Sequence, residues 1–378
     1  MNNLAKHLQP PTGPAVNWLK QLIATPSFSR EEHDTAFLLE GFLRDYAVKP
    51  ERLKNNVWAK NLFYDPRKPT VLLNSHHDTV KPNGGYTRDP FQADIENGML
   101  YGLGSNDAGG ALVALLATFL HFYEKDDLPF NLIFAATAEE EISGKNGVEL
   151  LLPELGDIHC AIVGEPTQMQ LAIAEKGLLV LDCVAQGKSG HAAREEGENA
   201  IYNALPDIQW FASHRFSKIS DFLGPVKMSV TVIQSGTQHN VLPDECRFTV
   251  DVRLNECYTF EEALNEIRNN VRCSVTPRSL RMRSSIIQPN HPLVQAGVSI
   301  GRTCYGSPTT SDKALMSFPA LKMGPGDSAR SHTADEFIFL EEIQEGIQLY
   351  ISLLETFGKH IQTSSAYETL EQRQHNPA

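Results

Sequence analysis

Four apolar stretches of this chain each run into a carboxylate or an imidazole. VLLN is followed directly by Ser75-His76-His77-Asp78-Thr79, and NLIFAATA ends in Glu139-Glu140-Glu141. CAIV runs into Gly164-Glu165-Pro166-Thr167, and near the other end of the chain Gly324-Pro325-Gly326-Asp327 stands just before His332. A further acid, Asp107, lies in GLGSNDAGGALVALL. Nitrogen and oxygen donors without thiolates suit Zn²⁺ and also accept Co²⁺ or Mn²⁺. Side chains two apart on an extended segment point the same way. His76 and Asp78 can therefore converge, with the carboxylate holding the imidazole's other nitrogen and His77 turned away. Asp107 falls at the expected start of a long apolar helix, where a carboxylate caps backbone N–H groups; its two oxygens could equally bridge two cations. Three successive glutamates repel one another, Lys145 is the one basic residue close by in sequence, and a bound cation relieves that cost. Each segment alone also reads as a solvated loop, an acidic turn or a cap. Together they read as a metal centre.

The elements that must position these groups alternate between helix and strand through the first third of the chain, the pattern of a parallel sheet flanked by helices. Helices are predicted over residues 16–24 and 30–46, the second because Ala36, Leu38, Leu39, Phe42 and Leu43 recur at helical spacing. Strands are predicted over 56–63 and 70–74, the latter apolar enough to be buried on both sides. A long apolar helix over 108–123 follows, then a strand over 131–136, a helix near 146–152 and a strand over 160–163. Ligands in such open sheets gather at the carboxyl ends of the strands, where the acids and imidazoles fall.

From about Gly177 the pattern changes to long alternating strands, GLLVLDCVAQG, VKMSVTVIQSG and CRFTVDVRL, with helical stretches at 199–213 and 260–271. The order β-α-β-β-α-β predicts a small two-layer α+β unit inserted into the first domain. After Pro289 helix and strand alternation resumes, over 292–302, 320–323 and 341–357, and the polar run from about Gln362 reads as a loosely held tail. The expected organisation is an α/β catalytic, metal-binding domain of residues 1–176 and 287–378 and an inserted dimerisation or lid domain of residues 177–286.

Composition narrows the function classes. With 378 residues, 41% hydrophobic and 21% charged, the chain has ample material for a core. Its formal charge of −13 would repel phosphate backbones over most of the surface, so nucleic acid is not an expected partner. The most apolar stretch, residues 111–120, is far short of the ~20 residues that a bilayer-crossing helix needs. The amino-terminal MNNLAKHLQPPTGPAVNW lacks an apolar signal core. Six scattered cysteines form no close pair, which fits a reducing cytoplasm.

In these motifs, in their order, the chain resembles the zinc-dependent amidohydrolases and exopeptidases that include acetylornithine deacetylase, succinyl-diaminopimelate desuccinylase, aminoacylase and the glutamate carboxypeptidases. The resemblance covers about residues 15–358. It implies two Zn²⁺, one held by His76, Asp107 and Glu165 and the other by the shared Asp107 with Glu141 and His332. It implies Glu140 as general base and Asp78 as the residue behind the histidine ligand. In the inserted domain, SGHAA places His191 where the family has a histidine reaching into the partner subunit's active site. Asn240 and Arg253, both in HNVLPDECRFTVDVR, match positions that bind the oxyanion and the substrate carboxylate. Two cations about 3.5 to 4 Å apart acidify a water, whose proton Glu140 could take and return to the leaving amine.

The implied activity is hydrolysis of the amide bond of a small N-acyl amino acid, with acetylornithine deacetylase the nearest named case, in arginine-type amino-acid biosynthesis. The side chain could be that of ornithine or citrulline and the acyl group acetyl or succinyl. The stretch Thr309-Thr310-Ser311-Asp312 and the Arg253 block fit recognition of such a substrate, with Ser311 a substrate contact. A dipeptidase, a carboxypeptidase or a succinyl-diaminopimelate desuccinylase would use the same centre. A catalytically silent metal binder is disfavoured because Glu140 and every implied ligand are present. A homodimer is the expected assembly. The chain departs from the family at Asp107-Ala108-Gly109-Gly110, where a Lys or Arg often follows the bridging aspartate by two residues, and at His77, where a second histidine is unusual.

Overall fold

The computed structural model describes residues 12–374, with side chains from 13 to 362. The chain divides into two compact units. The first runs up to Ile173 and includes Ile287–Tyr305 and the chain from Ser311 on; the second is Ala174–Ile286 with Gly306–Thr310. The second unit thus starts three residues before the expected boundary and takes in a short later segment. Ala174 and Glu175 pair antiparallel with Ile286 and Ser285, and Ser307 O accepts the Lys176 N–H at 3.2 Å.

In the first unit, the strands Asn131–Thr137, Thr70–His76, Cys160–Val163 and Ala320–Lys322 lie side by side and parallel. Asn56–Lys60 and Glu51–Leu53 extend the sheet antiparallel at one edge, and Leu171–Glu175 joins antiparallel beyond Ala320–Lys322. The central strands are apolar at successive positions because both faces are covered. Val71 and Leu73 join a core with Leu132, Phe134 and the helix Gly110–Phe122. Leu72, Ile133 and Ala135 face a second cluster with Val148, Leu151 and Leu155. The helix GALVALLATFLHF is buried at every position but His121, as its nearly unbroken apolar sequence requires.

Several details differ from the expectation. Glu51–Leu53 and the small antiparallel sheet of Ile95–Glu96, Met99–Tyr101 and Phe337–Phe339 are two or three residues long, too short to carry a periodicity. The last helix, Leu340–Gln374, continues past Gln362 where a tail was expected; no Gly or Pro interrupts the sequence between 359 and 374.

The second unit is a four-stranded antiparallel sheet in the order Lys227–Ser235, Glu245–Leu254, Gly177–Gln186, Ser274–Pro277. Gly177–Gln186 alternates buried and half-buried along its length, so one face meets the core. The helices Ala200–Ser213 and Phe260–Asn270 share that core through Ala204, Phe211, Phe260, Leu264 and Ile267. Asn199 caps the first helix, and Thr259 with Glu262 forms a reciprocal capping box on the second. The order of elements is the β-α-β-β-α-β read from the sequence. Among the described residues, no helix is long and apolar enough to cross a membrane.

Candidate metal centre

The parallel strands deliver their acids and imidazoles to one edge of the first unit's sheet. His76 is the last residue of Thr70–His76 and is buried. Its Nδ1 lies 2.9 Å from the Asp78 carbonyl oxygen. A carbonyl only accepts, so Nδ1 carries a proton and, in the neutral ring, Nε2 the lone pair. That lone pair faces Asp107 Oδ1 at 3.3 Å and Glu165 Oε1 at 3.9 Å. On the other side of Asp107, His332 Nε2 lies 3.7 Å from Oδ2 and 2.9 Å from Glu141 Oε2. His76, Asp107 and Glu165 offer donor atoms within 4.8 Å of one another, and so do Asp107, Glu141 and His332. Asp107 belongs to both groups, one oxygen toward each histidine.

Asp78 secures this arrangement in a way the sequence did not suggest. The backbone carbonyl of Asp78, rather than its carboxylate, makes the close contact to His76; Oδ1 stands at 3.5 Å from Nδ1. The carboxylate instead accepts the N–H of Glu140 at 3.0 Å, the N–H of Glu141 at 3.2 Å and the Ser29 hydroxyl at 2.7 Å. The buried Glu32 accepts the preceding N–H, that of Glu139, at 3.2 Å. Three consecutive N–H groups of the acidic turn are thus held by two buried carboxylates. Glu139 leaves the cluster altogether, its carboxylate taking the Asn146 side-chain N–H at 2.7 Å.

The helix cap that Asp107 alone could supply is not formed. Asp107 has extended dihedrals (φ −118°, ψ 98°), the long helix starts at Gly110, and no side chain caps it. The Asp107 carboxylate faces the histidines instead, and Glu336 accepts its backbone N–H at 2.8 Å. His77 points away, as expected. Nε2–H donates to Asn55 O at 2.8 Å and Nδ1 lies 2.9 Å from the Thr35 hydroxyl, so this histidine is structural. Ser311, expected at the substrate, is fully buried and caps the short turn Asp312–Leu315 by accepting the Lys313 N–H. The neighbouring Asp312, the last residue of the stretch read as a substrate contact, is buried and accepts from Thr137 Oγ1 at 2.7 Å and Asn74 Nδ2 at 3.2 Å.

The electrostatics show what the donor set lacks. Burial raises the Glu140 carboxyl well above its ordinary range; Glu165, Asp312 and Glu141 add to the shift and His76 opposes it. Burial likewise raises Glu141, against the hydrogen bond from His332. Burial disfavours a charged His76, yet hydrogen bonds to Asp107 and Asp78 and the charges of Glu140 and Glu165 outweigh it and raise its pKa. His332 is pushed up to about 9, chiefly by its hydrogen bond to Glu141. The protein alone therefore retains protons between imidazole and carboxylate atoms that repel without them. A divalent cation in each group would replace those protons, so these residues fit metal ions.

The remaining sequence candidates belong to the second unit. His191 and Asn240 are brought together there: Gly190–His191 pairs with Val241–Leu242, and Asn240 O accepts the Ala192 N–H at 3.0 Å. His191 Nδ1 accepts the Ala193 N–H at 3.1 Å, which leaves the neutral ring's proton on Nε2. Arg253 pairs with Asp251 through Nε at 2.8 Å and a terminal nitrogen at 3.0 Å.

Residues 72–356, most of the chain, match peptidase family M20/M25/M40. The chain belongs to this family. Its M20 relatives include the acetylornithine deacetylase of Shigella sonnei, 27% identical over 92% of this chain and 98% of that protein. A succinyl-diaminopimelate desuccinylase 2 of Ruegeria is 28% identical over 67% of this chain and 68% of that protein. The YxeP protein of Bacillus subtilis, described as a dinuclear metal binding peptidase, superposes with a TM-score of 0.69 at 16% identity, covering 91% and 97% of the two chains. This M20 chain is a metal-dependent amidohydrolase with deacylases among its relatives.

Proposed function

We propose that this M20 hydrolase cleaves the amide bond of a small N-acyl amino acid, of the N-acetylornithine or N-acetylcitrulline type, with an acetyl or succinyl acyl group. The observation that carries the reading is Asp107, with one oxygen toward His76 and the other toward His332, combined with an acetylornithine deacetylase among the relatives that spans nearly the whole chain. Two Zn²⁺ would be held by His76, Asp107 and Glu165 and by Asp107, Glu141 and His332; Co²⁺ or Mn²⁺ would suit the same donors. Such cations supply Lewis-acid polarisation of an amide carbonyl and acidify water.

The chain's own residues supply the rest. Asp78 fixes His76 through its carbonyl and the acidic turn through its carboxylate. Glu140 takes the proton of the attacking water and delivers it to the leaving nitrogen as the C–N bond breaks. The products are the acyl group's carboxylate and the free amino acid. As the resemblance implies, the Nε2–H of His191 would reach the partner subunit's active site to stabilise the tetrahedral oxyanion, Asn240 would bind the same oxyanion, and Arg253 would pair with the substrate carboxylate.

A homodimer through the second unit is part of the reading. Val232 and Ile233, on the edge strand Lys227–Ser235, and Tyr202 and Leu205, on the helix Ala200–Ser213, are large apolar side chains left exposed, which supports it. A cytoplasmic place in arginine-type biosynthesis belongs to the same reading; the cysteines among the described residues are free thiols, as a reducing compartment keeps them. A peptidase of the same family would use the same donors. A screen of dipeptides beside N-acyl amino acids separates the two: preference for N-acyl amino acids supports the proposal, and preference for dipeptides overturns it.

A further inference from the structure

Two side chains lace the segment leading to Asp107 to the chain on either side of His332. Glu336 is buried, 2% exposed. Its Oε2 accepts the Gly104 N–H at 2.9 Å, and Oε1 accepts the N–H groups of Asn106 and Asp107, both at 2.8 Å. Its backbone oxygen accepts the Gly102 N–H at 2.9 Å. Asn106 is bound in return, Oδ1 accepting the Asp327 N–H at 2.9 Å and Nδ2 donating to Asp327 O at 3.0 Å.

The two groups of metal donors are supported unequally. His76 and Glu165 emerge from adjacent parallel strands, paired through Asn74 and Val163, and both are buried. His332 lies on the loop between the short turn Ser328–Arg330 and the strand Phe337–Phe339, its side chain 54% exposed and its φ at +60°. A residue in that backbone conformation, without a strand beneath it, depends on the clasp around it. Glu336, four residues further along the loop, is the group that joins it to the backbone of Asp107.

We propose that Glu336 is a positioning residue that sets Asp107 against His332 and thereby governs cation binding at the outer position, formed by Asp107, Glu141 and His332. The inference rests on reading that trio as a cation position. Gln at 336 keeps the shape but turns an NH₂ group, a donor, toward backbone N–H donors. The clasp loosens, and the strand-borne pair His76 and Glu165 is left in place.

The test is Zn²⁺ binding to the metal-stripped full-length protein by chelator competition, for the wild type, Glu336→Gln and Glu336→Asp. The wild type should bind two ions. Glu336→Gln should keep the tighter one within about threefold and weaken the second roughly 10- to 100-fold, with kcat falling more than KM rises. Glu336→Asp, which retains the carboxyl group, should fall between them, and it carries the same test where the Gln variant does not fold. Two ions in the wild type and an equal effect, or none, on both positions in the variants would overturn this inference alone. Fewer than two ions in the wild type would overturn the dinuclear reading and this inference with it.

Discussion

Asp78 Oδ1 accepts the backbone N–H of Glu140 at 3.0 Å, so the residue beside the first histidine also orients the proposed base. Histidine support and base placement therefore share one buried residue, its carbonyl holding His76 and its carboxylate the acidic turn. Asp78→Asn replaces one acceptor oxygen with a donor facing Glu140 or Glu141. It should lower kcat/KM roughly 10- to 100-fold, in the range for residues that orient metal ligands. Steady-state kinetics on the purified variant check this, and near wild-type turnover would deny Asp78 the role.

In the proposed mechanism Glu140 carries the proton and is not needed to hold the cations. Glu140→Gln should retain both ions by elemental analysis while kcat falls roughly 10²- to 10⁴-fold. Loss of an ion in that variant would make Glu140 a ligand, and full turnover would remove it as the base.

The buried His77 predicts a pH dependence of stability. Burial lowers its pKa to about 4, the hydrogen bond to Asn55 opposing, whereas the unfolded chain protonates it near 6.5. Between those values the unfolded state binds the extra proton. The stability carried by neutral His77 is complete above about pH 6.5 and declines as pH falls toward 4, by up to about 3 kcal/mol. Urea unfolding at pH 7 and pH 5 should show a shallower pH slope in His77→Gln than in the wild type. Equal slopes would refute the assignment.

Gly326 has φ +90°, and a Cβ there would stand 2.4 Å from Asn106 Oδ1. Gly326→Ala should cost more than ~1 kcal/mol. The urea midpoint reads this, and an unchanged midpoint would show that the Asn106 contact yields freely.

What could be read beforehand followed from periodicity. Val71 to Leu73, Leu132 to Ala135 and Ala161 to Val163 are apolar at consecutive positions, which marks strands buried on both faces and so locates His76, Glu140, Glu141 and Glu165 at one sheet edge. The alternation in Gly177–Gln186 and Glu245–Leu254 similarly revealed a sheet with one covered face. The groups that hold the site in place left no such trace. Glu336 meets Gly104 from 232 residues away and Asp312 meets Asn74 from 238, and a lone acid in a loop carries no period. Asp107, taken alone, left its cap and ligand readings both open for a related reason. A carboxylate just before an apolar helix looks the same in sequence whether its oxygens turn to the helix or away from it, and here they turn toward His76 and His332.

The central claim is metal-dependent deacylation of a small N-acyl amino acid. Its most direct test is turnover of N-acetyl and N-succinyl ornithine, citrulline and diaminopimelate by the Zn²⁺-loaded enzyme, beside the same enzyme held with a chelator. The account predicts clear preference for one of these compounds, abolished by the chelator and restored by Zn²⁺. Turnover that survives chelation, or none with any compound while two ions remain bound, would contradict it.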